Sequence, residues 1–288
     1  MRTGLVLEGG GMRGLFSAGV MDVMLENDVQ VDGVVGVSAG ACFGCNYVSR
    51  QIGRALRYNI NMTHEPRYMG WRPLLTEGNI MGGEFAYHTL PDELDPFDKE
   101  TFAGNPTEFH VVCTDVYTGA PIYKRLQAPV DYEFMEWIRA SSALPLVSKP
   151  VAVGGKLMLD GGMSDSIPLK YFQEQGFERN IVILTQPKGF KKKRTKLMPL
   201  FKTFMRKYPA IIDAMNNRHI MYNGQLDYLA QEEKAGRIIV VAPEDTLPIG
   251  RTEQNVEKMK VVYQMGREAG LRLLERLSNQ CLIQEAKY

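Results

Sequence analysis

Apolar residues near the start of the chain fall into two alternating rhythms. "TGLVLEG" (3–9) is a short apolar run closed by glycines, which predicts a buried strand. "RGLFSAGVMDVMLEN" (13–27) is apolar nearly all round, which predicts a helix packed inside the protein. "VDGVVGVS" (31–38) predicts a second strand, and 39–60 one or two further helices. Strand, helix, strand, helix at this spacing is the pattern of a parallel sheet with helices on its faces.

Further along, 108–116 and 120–126 predict strands joined through "YTG" as a hairpin, and 149–155 with 156–162 predict a second pair. "RNIVILTQ" (179–186) and "GRIIVVAPE" (236–244) are apolar, β-branched runs of the kind that form central parallel strands. Helical stretches are predicted at 131–142, 168–176, 218–235 and 252–279. There is no internal repeat and no low-complexity segment. Both late strands can join the first sheet, and 288 residues suffice for one large core. The expectation is one α/β domain with a C-terminal elaboration.

Composition narrows the class only a little. Hydrophobic residues at 44% and charged residues at 23% are ordinary for a globular protein. A formal charge of +1 gives no global attraction to nucleic acid. No run is long enough to cross a bilayer, and the apolar run before Glu8 is too short for a signal-peptide core, so the expected compartment is the cytoplasm. Cys42, Cys45, Cys113 and Cys281 do not form a disulfide framework. Cys42 and Cys45 make a C-x-x-C, but they read better as buried small residues than as a redox pair. No zinc-ligand spacing occurs.

The glycines carry more information. "GGGMRG" (9–14) satisfies G-x-G-x-x-G with Gly9, Gly11 and Gly14, between a strand and a helix where a dinucleotide fingerprint belongs. That reading needs an acid at the C-terminal end of the second strand. "GVSAG" (36–40) occupies the place, and Asp32 lies at the other end. Glycines before a helix also leave amide N–H groups uncovered, which suits an oxyanion formed in acyl transfer. A purely structural turn is the remaining alternative.

Ser38 falls at the predicted strand-to-helix corner, flanked by Gly36 and Gly40, in the pattern of a nucleophile elbow. Its base is less obvious. The chain has four histidines, His64, His88, His110 and His219, and only His219 follows both Ser38 and a plausible acid. His219 lies in a polar helical stretch with no strand end before it. A carboxylate is the other option: in "LMLDGGMSDSIP" (157–168), Asp160 closes an apolar run and precedes Gly161 and Gly162. A turn aspartate is the plainer reading of "DGG" alone.

Taken in order, "GGGMRG", "GVSAG" and "DGG" resemble the bacterial patatin-like phospholipases. "CTDVYTG" (113–119) and "RASSALPLVSKPV" (139–151) are similar to further segments of that family, so the likeness covers about 4–187. The resemblance implies a three-layer α/β/α sandwich with a mainly parallel central sheet. It also implies hydrolysis of fatty-acyl esters of lipids, phospholipids above all, through an acyl-enzyme. Ser38 would be the nucleophile, Asp160 the proton acceptor, and Gly9, Gly10, Gly11, Met12, Arg13 and Gly14 the oxyanion-hole loop. No metal or cofactor is implied. The expected division is a patatin-like core at 1–187 and a basic, helical extension at 188–288 packed on the same sheet. A dinucleotide-dependent oxidoreductase and a non-catalytic lipid-binding protein are the competing classes.

One stretch falls outside the likeness. Between Lys188 and Lys207 the chain carries nine basic residues (Lys188, Lys191, Lys192, Lys193, Arg194, Lys196, Lys202, Arg206 and Lys207) and no acid, which leaves the remainder net acidic. From 197 onward, helical spacing puts Leu197, Leu200, Phe201, Phe204 and Met205 on one face and Lys202, Arg206 and Lys207 opposite, with Pro199 in the first turn. This predicts peripheral docking on an anionic membrane, at the inner face for a cytoplasmic protein. An ordinary packed helix after a solvated basic loop is the plainer reading. Nucleic acid is not an expected partner, because spaced aromatic stacking residues are lacking.

Overall fold

The computed structural model describes residues 1–285, with side chains through residue 279. The strands are β1 (Arg2–Leu7), β2 (Gly33–Val37), β3 (Glu108–Asp115), β4 (Pro121–Leu126), β5 (Val151–Val153), β6 (Lys156–Asp160), β7 (Phe177–Ile183) and β8 (Ile238–Val241). They form one sheet in the order β5-β6-β3-β2-β1-β7-β8, with β4 also paired to β3. β3, β2, β1, β7 and β8 run parallel, whereas β4 and β6 are antiparallel to β3 and β5 to β6.

Helices cover both faces. They are α1 (Leu15–Glu26), α2 (Ala39–Val48), α3 (Arg54–Asn61), α4 (Trp71–Thr76), α5 (Lys99–Gly104), α6 (Tyr132–Ser142), α7 (Leu169–Glu174), α8 (Met198–Phe204), α9 (Pro209–Lys234) and α10 (Val256–Glu285). Strand side chains alternate between two cores. Leu5, Leu7, Val34 and Ile183 join a core with α1, α2, α6 and α10, whereas Val6, Val35, Val37 and Val182 join one with Phe172 of α7 and Tyr222 and Leu229 of α9. Helix, sheet and helix thus form the three layers of an α/β/α sandwich. Every residue of α1 except Glu26 is buried. The helix α10 closes its outer side through Tyr263 Oη to Asp22 Oδ2 at 2.6 Å and Arg267 to Glu26 at 2.8 Å.

Several details depart from the sequence reading. The run 236–244 forms β8 at the sheet's edge, not its centre. It is as apolar as a central strand because Ile238 and Val240 face one core and Ile239 and Val241 the other. The 39–60 stretch is two helices, the 218–235 helix begins at Pro209, and the C-terminal helix starts at Val256. Nothing regular was expected between 63 and 107, yet α4, a π-helix at Phe85–Leu94 with Pro91 inside it, and α5 lie there.

Candidate active site

β2 runs straight into α2, and Ser38 stands at the corner with φ 56° and ψ −121°. A non-glycine residue there is strained and is held only where its surroundings over-determine it. Its neighbours do so. A Cβ on Gly40 would lie 2.5 Å from the Leu7 carbonyl oxygen, and one on Gly36 would lie 2.5 Å from the Ala41 nitrogen. Side chains at either place would push the turn open. The Ser38 N–H donates to Ser141 Oγ at 3.0 Å, and Ser141 Oγ donates to the Val112 carbonyl at 2.7 Å, so α6 and β3 both hold the corner.

Asp160 closes β6 opposite Cys113 of β3. Its N–H donates to the Ala143 carbonyl at 2.9 Å, and its own carbonyl accepts from Thr114 Oγ1 at 2.8 Å. Oδ1 accepts from the Gly162 N–H at 2.8 Å, whereas Oδ2 is buried without a hydrogen-bond partner. Burial pushes the Asp160 carboxyl above its ordinary value. The Ser38 hydroxyl, the Arg218 charge, the Gly162 N–H and the Arg251 charge pull it back part of the way. A buried carboxylate with one unengaged oxygen, more basic than free aspartate, has what a general base needs.

The glycine loop lies beside them. Gly9, Gly10, Gly11 and Arg13 line the same polar pocket as Ser38 and Asp160. Among the described residues, the N–H groups of Gly10 and Gly11 donate no hydrogen bond. Two members of the expected oxyanion loop serve otherwise. The Met12 N–H donates to the Arg251 carbonyl at 3.0 Å, and Gly14 packs against Ala39 and Phe43 of α2. Arg13 Nε donates to the Gly10 carbonyl at 3.3 Å and so braces the loop.

Ser38 lines two cavities at once. One holds about 1190 Å³ of empty space, mouth included, and is mostly apolar, with Phe43, Tyr58, Met69, Leu90, Met135 and Ile138 in its walls. The other is the polar pocket, about 400 Å³ on the same measure. Among the described residues no histidine lines either one. His88 bonds to Glu136 at 2.9 Å and stacks on Tyr132; His110 is held between Glu108 and Tyr171. His64 is exposed, and His219 lies in α9. Asp32 accepts from the Thr3 N–H at the far end of β2, away from any cofactor place on the glycine loop. The Cys42 and Cys45 thiols are pushed up by burial to about 11 and about 12, which makes both inert at neutral pH. The side chain of Cys281 lies outside the described residues.

Four residues of this site, Ser141, Glu8, Arg218 and Arg251, were not singled out from sequence, and a fifth, Lys192, was read only as part of the basic run. Ser141 was covered only by the family-like stretch 139–151. Glu8 accepts from the Thr185 N–H at 2.7 Å and from Tyr222 Oη at 2.6 Å, tying β1, β7 and α9 together under the loop. Lys192, Arg218 and Arg251 reach the polar pocket from the chain beyond β7. The basic run itself is only partly free. Lys188 pairs with Glu233, Lys191 with Asp227, and Arg194 bonds to Asn216, all on α9. The expected single apolar face of 197–205 is two adjacent stripes. Met198, Phe201 and Met205 are buried, whereas Leu197, Leu200 and Phe204 are exposed.

Comparison with known families settles the kinship. The family model for patatin-like phospholipases matches residues 5–172, more than half of the chain. The chain belongs to the patatin-like phospholipase family. A second model, a domain of unknown function (DUF6363), matches 208–282, where this patatin-like chain forms α9, β8 and α10. The uncharacterized protein YjjU of Escherichia coli is 30% identical over 191 residues, covering 65% of this chain and 52% of its own length. The uncharacterized NTE family protein Rv1063c of Mycobacterium tuberculosis is 27% identical over 168 residues, covering 58% and 44%. Lysophospholipase NTE1 of Phaeosphaeria nodorum is 25% identical over 182 residues, covering 60% and 11%. The patatin-like chain thus spans about half or less of these relatives.

Proposed function

We propose that this protein hydrolyses fatty-acyl esters of lipids, phospholipids or lysophospholipids above all, with Ser38 as nucleophile and Asp160 as its base. One observation carries the reading: a strained serine stands where a large apolar cavity meets a polar pocket that holds a buried carboxylate with a free oxygen. The acyl chain occupies the apolar cavity. Ser38 Oγ attacks the ester carbonyl carbon and passes its proton to Asp160 Oδ2, and the Gly10 and Gly11 N–H groups take the charge on the carbonyl oxygen. The tetrahedral intermediate collapses to an acyl-enzyme, and the leaving alcohol takes the proton from Asp160. Water, deprotonated by the same carboxylate, then releases the fatty acid and restores Ser38. The lysophospholipase name of the fungal relative supports this substrate class.

Incubating the pure protein with a mixed lipid extract tests the reading. Phospholipid or lysophospholipid species are expected to lose a fatty acid, and a fluorophosphonate to label Ser38. An extract left intact, together with an unlabelled Ser38, rejects it.

We also propose that residues 1–187 are the catalytic core and 188–288 an extension that docks it on the anionic inner face of a membrane. Among the described residues no helix is long and apolar enough to span a bilayer. The exposed Leu197, Leu200 and Phe204 lie among the exposed Lys193, Lys196, Lys202, Arg206 and Lys207. Near an anionic surface each such cation contributes about 1 kcal/mol. Changing those five cations to glutamine is therefore expected to weaken vesicle binding by more than about a hundredfold. Sedimentation with phosphatidylserine vesicles reads this, and undiminished binding refutes the docking site.

A further inference from the structure

We propose that the polar pocket beside Ser38 is a phosphate subsite, in which Arg13, Lys192, Arg218 and Arg251 hold the phosphate group of the lipid being cleaved. This rests on the acyl-ester hydrolase reading above and narrows its substrate to phosphate-bearing acyl esters. The four cations reach one pocket from four places: the glycine loop, the segment between β7 and α8, α9, and the segment between β8 and α10. The patatin-like match at 5–172 contains only Arg13. Arg218 and Arg251 lie within the C-terminal match at 208–282, and Lys192 lies between the two. Head-group selection is thus a task of the chain's last hundred residues.

The charge balance supports an anionic guest. Only two carboxylates, Glu8 and Asp160, line the pocket against the four cations. Glu8 is already engaged by the Thr185 N–H and Tyr222 Oη, and Asp160 by the Gly162 N–H. Among the described residues none of the four cations forms an ion pair. Arg13 Nε donates to the Gly10 carbonyl and Arg218 Nε to the Gly162 carbonyl at 2.5 Å, while Lys192 Nζ lies 3.9 Å above the Tyr222 ring. Arg13, Lys192 and Arg218 are partly buried and Arg251 is exposed; with only Glu8 and Asp160 to balance them, the four repel one another. Burial and the charges of Arg218, Arg251 and Arg13 lower Lys192 to about 7 against the pull of Glu8. The three arginines alone outnumber the two carboxylates, and a bound anion draws Lys192 to its charged form; that surplus suits a phosphate, and guanidinium forks match its oxygens.

Position completes the case. The apolar cavity and the cationic pocket share Ser38, Gly11, Leu144 and Arg251. An acylated glycerol phosphate laid across them puts its chain in the first, its phosphate in the second, and its ester carbonyl over the serine and the glycine loop. A neutral acylglycerol fills the first and leaves the cations uncompensated.

The test compares kcat/KM for a 1-acylglycerol 3-phosphate and the uncharged 1-acylglycerol of the same chain length, in the wild type, Lys192→Gln and Arg251→Gln. The wild type is expected to prefer the phosphorylated ester by about a hundredfold, and each variant to lose about tenfold of that preference, as the loss of one charge-assisted bond implies. Equal use of both esters by the wild type, or an unchanged ratio in both variants, overturns the subsite while leaving ester hydrolysis intact. A second arm needs no turnover: calorimetric titration of Ser38→Ala with glycerol 3-phosphate, inorganic phosphate and glycerol. Binding of glycerol 3-phosphate that weakens in the Arg251→Gln background supports the subsite even if no ester is cleaved. Inorganic phosphate bound as tightly as glycerol 3-phosphate would make it a site for free phosphate, and no binding of either anion removes it.

Discussion

Replacing Ser38 by alanine is expected to lower fatty-acid release by about 10⁴-fold or more, the usual consequence of deleting a catalytic nucleophile. The size follows from the chemistry. Without Oγ no acyl-enzyme forms, and what remains is water attack assisted by the Gly10 and Gly11 N–H groups and by substrate positioning. The fold should hardly notice. Alanine meets the same strained φ of 56°, and the bond that fixes the corner, the Ser38 N–H to Ser141 Oγ, uses the backbone. A melting temperature within about 2 °C of the wild type is expected, since the change removes no buried apolar volume. Initial rates on the lipid found to be a substrate, read beside a melting curve, separate lost chemistry from lost structure. A variant that keeps more than a tenth of the wild-type rate would place the ester chemistry elsewhere. The histidines supply a matched control: changed singly to glutamine, all four should leave Ser38 reactive toward a fluorophosphonate, because none lines its pockets.

The sheet was legible because parallel strands buried on both faces read as continuous apolar runs, and β1, β2 and β7 do so. The same signal misplaced β8. A strand at the edge of the sheet but covered on both faces is as apolar as one at its centre. The region 63–107 stayed silent because its elements are short or irregular: α4 and α5 have six residues each, and the π-helix Phe85–Leu94 carries Pro91 and lacks the 3.6-residue period. At 197–205 two apolar stripes run side by side, Met198, Phe201 and Met205 beside Leu197, Leu200 and Phe204. Only packing against α9 decides which turns inward. The residues Ser38, Asp160 and the loop glycines announce themselves locally, since each needs glycine at its side. Lys192, Arg218 and Arg251 do not. Arg218 and Arg251 belong to ordinary polar stretches and Lys192 to a basic run that reads as membrane-facing, and only the tertiary fold gathers them.

Asp160→Asn is expected to remove activity almost as completely as the serine variant, by about 10⁴-fold, while making the protein more stable at neutral pH. Asparagine keeps the shape, and its amide oxygen can still accept from the Gly162 N–H as Oδ1 does at 2.8 Å. What it loses is the proton acceptor. The stability effect has a definite sign. Burial raises the Asp160 carboxyl above its ordinary value of 3.8, so the folded state holds that proton more tightly than the unfolded chain. Stability then falls as pH rises from 3.8 through the raised value, and the loss persists at every higher pH. Asparagine has no charge to bury and escapes it. Its melting temperature should exceed the wild type's by a few degrees at pH 7, with the gap closing toward acid, where Asp160 is protonated. The same raised carboxyl sets the acid limb of kcat/KM in the wild type, since a protonated Asp160 cannot take the serine's proton. That limb should fall at a pH above 3.8, and Arg251→Gln should move it higher still by removing one of the charges that holds the carboxyl down. A variant that matched the wild type in melting temperature at both pH values, and kept its rate, would mean that Asp160 is an ordinary turn residue.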